Sequence, residues 1–194
     1  MEQQHRTYKN SRRMQLIEAG IEEINTHGVT GFSCRRVASA CGLSCAAPAK
    51  HFGDRNGFLA AIIDYVNGLW AEEQARILEA NEGSLRRQIV EESVGYVEFL
   101  GKNPHYRSIL MLKDDEFDNT YHKKKGEVSS PTQKLIADYC AEVGYTDEQR
   151  IRKTYVIRSL IFGAALMFDT GEIPKSQETL EMVRQCIDRE FDLP

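Results

Sequence analysis

Apolar residues along this chain recur at three- and four-residue steps, and the two-residue alternation of strands is almost absent. Met14, Ile17, Ile21 and Ile24 form the first such face, on a helix that Asn10 or Ser11 can cap and Gly28 can end. Ser33 offers the next N-cap, with Arg36 where a capping box would hold Glu. The helix it starts, about 34–40, turns Val37, Ala38 and Cys41 inward and stops at Gly42. Ser44 then caps a third, short helix. Asp54 opens a long helix to about residue 80, with Phe58, Ile62, Tyr65, Val66, Leu69 and Ile77 on its buried side. At ~1.5 Å per residue it spans roughly 40 Å, enough to join two domains. Gly83 breaks the pattern and Ser84 caps a helix that ends near Gly101, after which Asn103-Pro104 starts another. Residues 113–127 carry no period and mixed charge blocks, which reads as a loop or a poorly formed helix end. A capped helix follows and stops at Gly144. Thr146 caps the next, with acids in the first turn that suit the helix dipole. It runs to about Asp169 and is apolar nearly all round from Val156 to Phe168. Gly171 and Pro174 separate it from a last helix, Ser176 to about Phe191. The fold class expected is all-α.

At 194 residues the chain has room for one or two domains. Its first residues, "MEQQHRTYKN", are polar and lack an apolar secretory core. The longest apolar run, "LIFGAALMF", is far short of the ~20 residues that span a bilayer. A cytoplasmic protein without a membrane partner is expected. Five cysteines without a CxxC pair give no disulfide framework. Cys34, Cys41 and Cys45 match no zinc spacing, so no metal site is expected. There is no Gly-rich phosphate loop, HExxH, GxSxG or paired-carboxylate constellation, so neither an enzyme nor a cofactor is expected. Charge is divided unevenly. Residues 1–60 hold eight Lys/Arg against five Asp/Glu, and the remainder 17 against 24. A basic head on an acidic body suits a head that meets a polyanion.

Three short helices with a Gly-containing turn between the second and third fit a helix-turn-helix, whose last helix enters the DNA major groove. Ser33 and Ser44 stand at helix N-termini, where anions bind well. Arg35, Lys50, His51 and Arg55 flank the reading helix and could neutralise phosphates on both sides of the groove.

Residues about 10–66 resemble the DNA-binding domain of the TetR family of transcriptional regulators. The carrying segments are "RRMQLIEAGIEEINTHG", "FSCRRVASACGLS" and "KHFGDRNGFLAAII". Gly28, Ser33, Val37-Ala38, Gly42-Leu43-Ser44, His51-Phe52 and Arg55 stand where that family's pattern places their types. Two departures matter. Ala49 replaces a family Tyr whose hydroxyl reaches a phosphate, which leaves more to Lys50 and His51. Pro48 near the start of the reading helix implies a 3₁₀-like first turn or a later start. Small residues at Cys45, Ala46 and Ala47 would let the backbone approach the bases, and Ala methyls can touch thymine methyls. Specificity is then expected to lean on Cys45, Lys50, methyl contacts and DNA shape. An arm with Arg6, Lys9, Arg12 and Arg13 could reach backbone or minor groove.

The resemblance implies a DNA-binding domain over 1–53, with the motif at about 33–52, and a ligand-binding and dimerisation domain over 54–194. It implies a small-molecule effector in a cavity lined by residues among Trp70, Tyr96, Phe99, Tyr106, Met111, Phe162 and Met167. The last two helices are apolar on more than one face (Leu160, Ala164, Phe168; Leu180, Val183, Ile187), which a second copy of the chain would cover as a homodimer. The function expected is a ligand-responsive repressor that binds a near-palindromic double-stranded operator as a dimer. The alternatives are a thiol-responsive regulator that uses Cys45, or a helical interaction module without DNA binding.

Overall fold

A computed structural model of the chain describes residues 12–110 and 130–193. These residues form helices and no strand. In chain order they are α1 (Arg12–His27), α2 (Cys34–Ala40), α3 (Ala47–Phe52), α4 (Arg55–Ala80), α5 (Leu85–Lys102), α6 (Pro104–Leu110), α7 (Ser130–Glu142), α8 (Asp147–Thr170) and α9 (Gln177–Glu190). The all-α expectation holds. The arm residues Arg6 and Lys9, the first cap and the 113–127 segment lie outside the described residues. No helix among the described residues is long and apolar enough to cross a membrane.

The described residues divide into two compact units. The first holds α1, α2, α3, α6 and α4 as far as Gly68; the second holds α4 from Leu69, α5, α7, α8 and α9. Helix ends follow the caps in the sequence. Ser33, Ser84 and Ser176 accept the backbone N–H three residues on. Thr146 and Gln149 form a reciprocal capping box. Gly28 and Gly171 end their helices at φ 69° and 70°, a left-handed conformation in which other residues are strained.

Aromatic packing organises the first unit. Phe58 stacks on Phe52 at 4.0 Å and meets Phe32 edge-on at 5.3 Å. Gly20 lets α1 approach α4 closely, since a Cβ there would lie 3.0 Å from Ile62 Cδ1. Buried Glu23 ties α1 to α2. It accepts the Ser33 N–H at 3.1 Å and Arg36 Nε at 2.8 Å, and Arg36 reaches on to the Gly31 carbonyl. Burial raises the Glu23 pKa, but these hydrogen bonds and the Arg36 charge outweigh it, so the carboxyl sits below its usual range.

In the second unit Lys153 is fully buried. Its ammonium donates to the Glu190 and Leu193 carbonyls, both at 2.8 Å, and lies 4.8 Å from the Tyr145 ring centroid. Arg86 binds Asp188 and Asp192 at 2.7 and 2.8 Å, and Arg184 holds Glu91 through two bonds of 3.0 Å. These contacts fasten α9 and the residues after it to α5 and α8.

Candidate nucleic-acid interface

The reading segment departs from the expected cap. Ser44 supplies no side-chain cap; its carbonyl accepts the Ala47 N–H at 2.9 Å, and the helix starts at Ala47 with Ala46 as N-cap. Pro48 explains the shift. Proline lacks an N–H and is tolerated in the first helical turn, so the helix starts late enough to place it there. Pro48 is also buried, so its ring anchors α3 to the unit. Lys50 and His51 then occupy the last turn, and Gly53 at φ 81° ends the helix. Asp54 caps α4 as expected, accepting the Gly57 N–H at 2.7 Å.

Ser44, Cys45, Ala46, Ala49, Lys50 and His51 are all exposed, and Ala47 is half-buried. The outer side of α3 thus carries small side chains and ends in two cationic or near-cationic ones. No Asp or Glu occurs anywhere from residue 24 to 53. Arg35 and Cys45 border a shared surface depression with Ser39 and Leu43. Ser33 is half-buried, and its hydroxyl is engaged by the Arg36 N–H.

Arg55 and Arg13 are held within the unit. Arg55 donates to the Val29 carbonyl at 2.6 Å, which fixes the start of α4 against the turn after α1. The Arg13 guanidinium lies 5.3 Å from the Phe52 ring centroid, a cation–π contact. Arg12 and Arg13 both belong to α1 rather than to a free arm.

The residues expected around an effector separate into groups. Trp70 and Tyr96 are buried with ring centroids 4.8 Å apart; Phe99 lies 5.3 Å from Trp70, and Phe162 lies 6.5 Å from Tyr96. Met167 is 38% exposed. Tyr106 belongs to the first unit, where its hydroxyl meets Asn67 Oδ1 at 2.5 Å. Met111 lies outside the described residues. Sequence reasoning missed Glu92, whose side chain is fully buried one turn before Tyr96 on α5. Its signal was positional, since an acid stands in register with Ile89, Tyr96 and Leu100.

The residues expected at the dimer face fall into two groups. Ala164, Leu180, Val183 and Ile187 are buried within the subunit, and Leu160 and Phe168 are half-buried. The four buried ones pack α8 and α9 into their own unit. The apolar side chains left outside are Ile151, Tyr155, Leu166 and Met167 on α8 and Met182 on α9. All five cysteines are free, and no described cluster of three or more His, Cys, Asp or Glu could hold a metal. Burial pushes the Cys34 and Cys41 thiols up, away from the reactive thiolate.

These features define a class: an all-helical helix-turn-helix protein with the fold of TetR-family transcriptional regulators. A TetR family regulator from Marinobacter aquaeolei VT8 is similar at a TM-score of 0.71 and 15% identity, covering 98% of each chain. A TetR/AcrR family regulator from Thermobifida fusca is similar at a TM-score of 0.64 and 21% identity, covering 92% of this chain and 97% of that one. In sequence, the chain is 26% identical over 132 residues to the HTH-type transcriptional regulator BetI of Burkholderia ambifaria, 68% of this chain and 67% of the relative. No protein-family model matches the chain. All three carry the names of transcriptional regulators.

Proposed function

We propose that the chain is a sequence-specific DNA-binding transcriptional regulator, a ligand-responsive repressor that binds a near-palindromic operator as a homodimer. The observation that carries this reading is the outer side of α3: exposed small residues followed by Lys50 and His51, in a stretch with no acidic side chain. Small residues let a helix approach base edges closely, and the flanking cations neutralise phosphates. In this reading DNA binding belongs to residues 1–53, and ligand binding and dimerisation to 54–194. Two heads engage half-sites one helical turn apart, roughly 34–36 Å. The effector lowers DNA affinity by binding better to the state whose heads do not match that spacing.

The exposed apolar residues of α8 and α9 support the homodimer. Ile151 and Tyr155 are 60% and 71% exposed and one turn apart; Leu166, 50% exposed, falls three turns past Tyr155 on the same side. Selection of bound fragments from randomised DNA tests the proposal. A two-fold symmetric motif, bound less tightly as salt rises, is the expected result. No enrichment of any motif at low salt would overturn it.

A further inference from the structure

We infer that Glu23, on α1, is a positioning residue for operator recognition: together with Arg36 it seats α2, and through α2 it sets where the reading helix α3 meets the bases. This inference rests on the DNA-binding reading above and adds to it a residue that does not touch DNA.

Helix α2 lacks the acid that would complete its own cap. Ser33 caps it, and the Ser33 hydroxyl accepts the Arg36 N–H. In a capping box, position 36 holds Glu or Gln, whose side chain accepts the Ser33 N–H in return. Thr146 and Gln149 show that reciprocal form at the start of α8. Arginine has no acceptor, so the first turn of α2 cannot satisfy the Ser33 N–H by itself. The acceptor comes instead from another helix. Glu23 Oε1, ten residues earlier on α1, accepts the Ser33 N–H at 3.1 Å. The same oxygen accepts from Arg36 Nε at 2.8 Å and from Arg36 Nη2, which also donates to the Gly31 carbonyl. Glu23 Oε2 lies 3.8 Å from His27 Nε2.

Capping and docking are thereby coupled. A helix with a local capping box is satisfied wherever it lies, whereas α2 gains its acceptor only when seated against the end of α1. The seat is well defined, because charge-assisted bonds are short and directional and a buried carboxylate that loses its cation is strongly destabilising. Placement then passes from α2 to α3 through a tight turn. The Gly42 N–H donates to the Ser39 carbonyl at 3.0 Å and the Leu43 N–H to the Ala38 carbonyl at 2.9 Å, with Gly42 at φ 67°. The other end of α1 holds the far end of α3, where Arg13 lies over the Phe52 ring. Helix α1 thus grips the two-helix motif at its start through Glu23 and at its finish through Arg13. The Glu23 side chain is only 8% exposed, and a carboxylate repels phosphate, so its effect on DNA runs through Arg36 and α2.

The test compares affinity for an operator selected from randomised DNA with affinity for a scrambled duplex of the same length, at one salt concentration. Full-length wild type, Glu23→Gln, Arg36→Gln and the double variant are measured. Glu23→Gln makes the head one charge more positive and Arg36→Gln one charge less. Affinity for scrambled DNA should therefore move in opposite directions in the two single variants. The ratio of operator to scrambled affinity should fall in both, by about tenfold, the scale of one lost base contact. The double variant should fall no further than either single one, since each breaks the same tie. An unchanged ratio in both single variants would overturn the inference, as would losses that add in the double variant. A loss in Arg36→Gln shared equally by operator and scrambled DNA would make Arg36 a phosphate contact and overturn it also. The Arg36 side chain is 50% exposed, so Arg36→Gln should keep its helical circular dichroism even if Glu23→Gln does not. Amide hydrogen exchange reads the tie without DNA: the Ser33 N–H should exchange slowly in the wild type and faster in Glu23→Leu, and fast exchange in the wild type would remove the tie. A wild type that prefers no operator would defeat the regulatory reading itself. A wild type whose preference survives both substitutions would defeat only the role of Glu23.

Discussion

Lys50 and His51 close α3 with exposed side chains, whereas Arg55 and Arg13 are occupied by the Val29 carbonyl and the Phe52 ring. The uncommitted charge of the reading segment therefore rests on few side chains. Lys50→Ala should weaken DNA binding across sequences and reduce the slope of log affinity against log salt by about one, because one phosphate contact is lost. Binding isotherms at several salt concentrations check this. Loss confined to one base position would instead make Lys50 a guanine reader. Glu92 gives a second test at this scale. Burial pushes its carboxyl up, and the Thr132 and Gln74 hydrogen bonds offset only some of that rise. A raised folded pKa means stability that is full below the unfolded value, about 4.3, and lost as pH rises through the folded value. Glu92→Gln has no such proton to lose. Its melting temperature should gain on that of the wild type as pH climbs from about 4.3, by about 2–4 °C for each kcal/mol of relief. A gap that stays constant with pH would mean that Glu92 is not buried in solution. The sequence held the cue to both buried acids, Glu23 and Glu92, since each stands on an otherwise apolar helix face. Their partners were hidden, because Arg36 and Thr132 are 13 and 40 residues away and only folding brings them near.

At the scale of elements, α4 is the helix that begins in one unit and ends in the other, and Gly68 stands where the units meet along the chain. A glycine inside a helix lowers its stability by about 1 kcal/mol relative to alanine. A Cβ at Gly68 would meet nothing within 4 Å. Gly68→Ala should therefore stabilise α4 by about 0.5–1 kcal/mol without a clash, as denaturant unfolding would register. If α4 transmits the effector signal by bending there, the variant should also respond less to effector in a DNA-binding assay. A destabilised variant would place the Gly68 side in contact with something the isolated chain lacks. Most elements of this fold were legible before folding was considered. Ser33, Ser84, Thr146 and Ser176 mark helix starts through a local hydrogen bond that needs no distant partner. The start of α3 was misjudged for a local reason too: Ser44 has the right chemistry for a cap, but Pro48 decides where the first turn can lie. What periodicity cannot supply is which face of an apolar helix turns inward. Helix α8 reads as apolar almost all round from Val156 to Phe168, so Ala164 and Leu166 look alike in the sequence until packing separates them.

At the scale of the molecule, the assembly has to reconcile an ordinary core with a set of apolar side chains left in water. Ile151, Tyr155, Leu166 and Met182 are 60%, 71%, 50% and 49% exposed, all on α8 and α9 of the second unit. Exposed apolar patches of this kind mark association surfaces, and a two-fold pairing covers the same patch on both copies. Replacing Tyr155 and Leu166 together by Glu tests this without touching the core, since neither side chain is buried and exposed substitutions usually shift stability by no more than about 0.5 kcal/mol. The doubly substituted protein should sediment with the mass of one subunit and keep its helical circular dichroism. Its operator affinity should fall by about 10²–10⁴, because two linked heads bind far more tightly than one. Ile187→Glu serves as the contrast. That side chain is fully buried, so its charge should unfold the second unit rather than merely separate the subunits. A Tyr155/Leu166 variant that remained dimeric would move the interface elsewhere on the second unit. A wild type already monomeric at micromolar concentration would remove the dimer, and with it the requirement that an operator be two-fold symmetric.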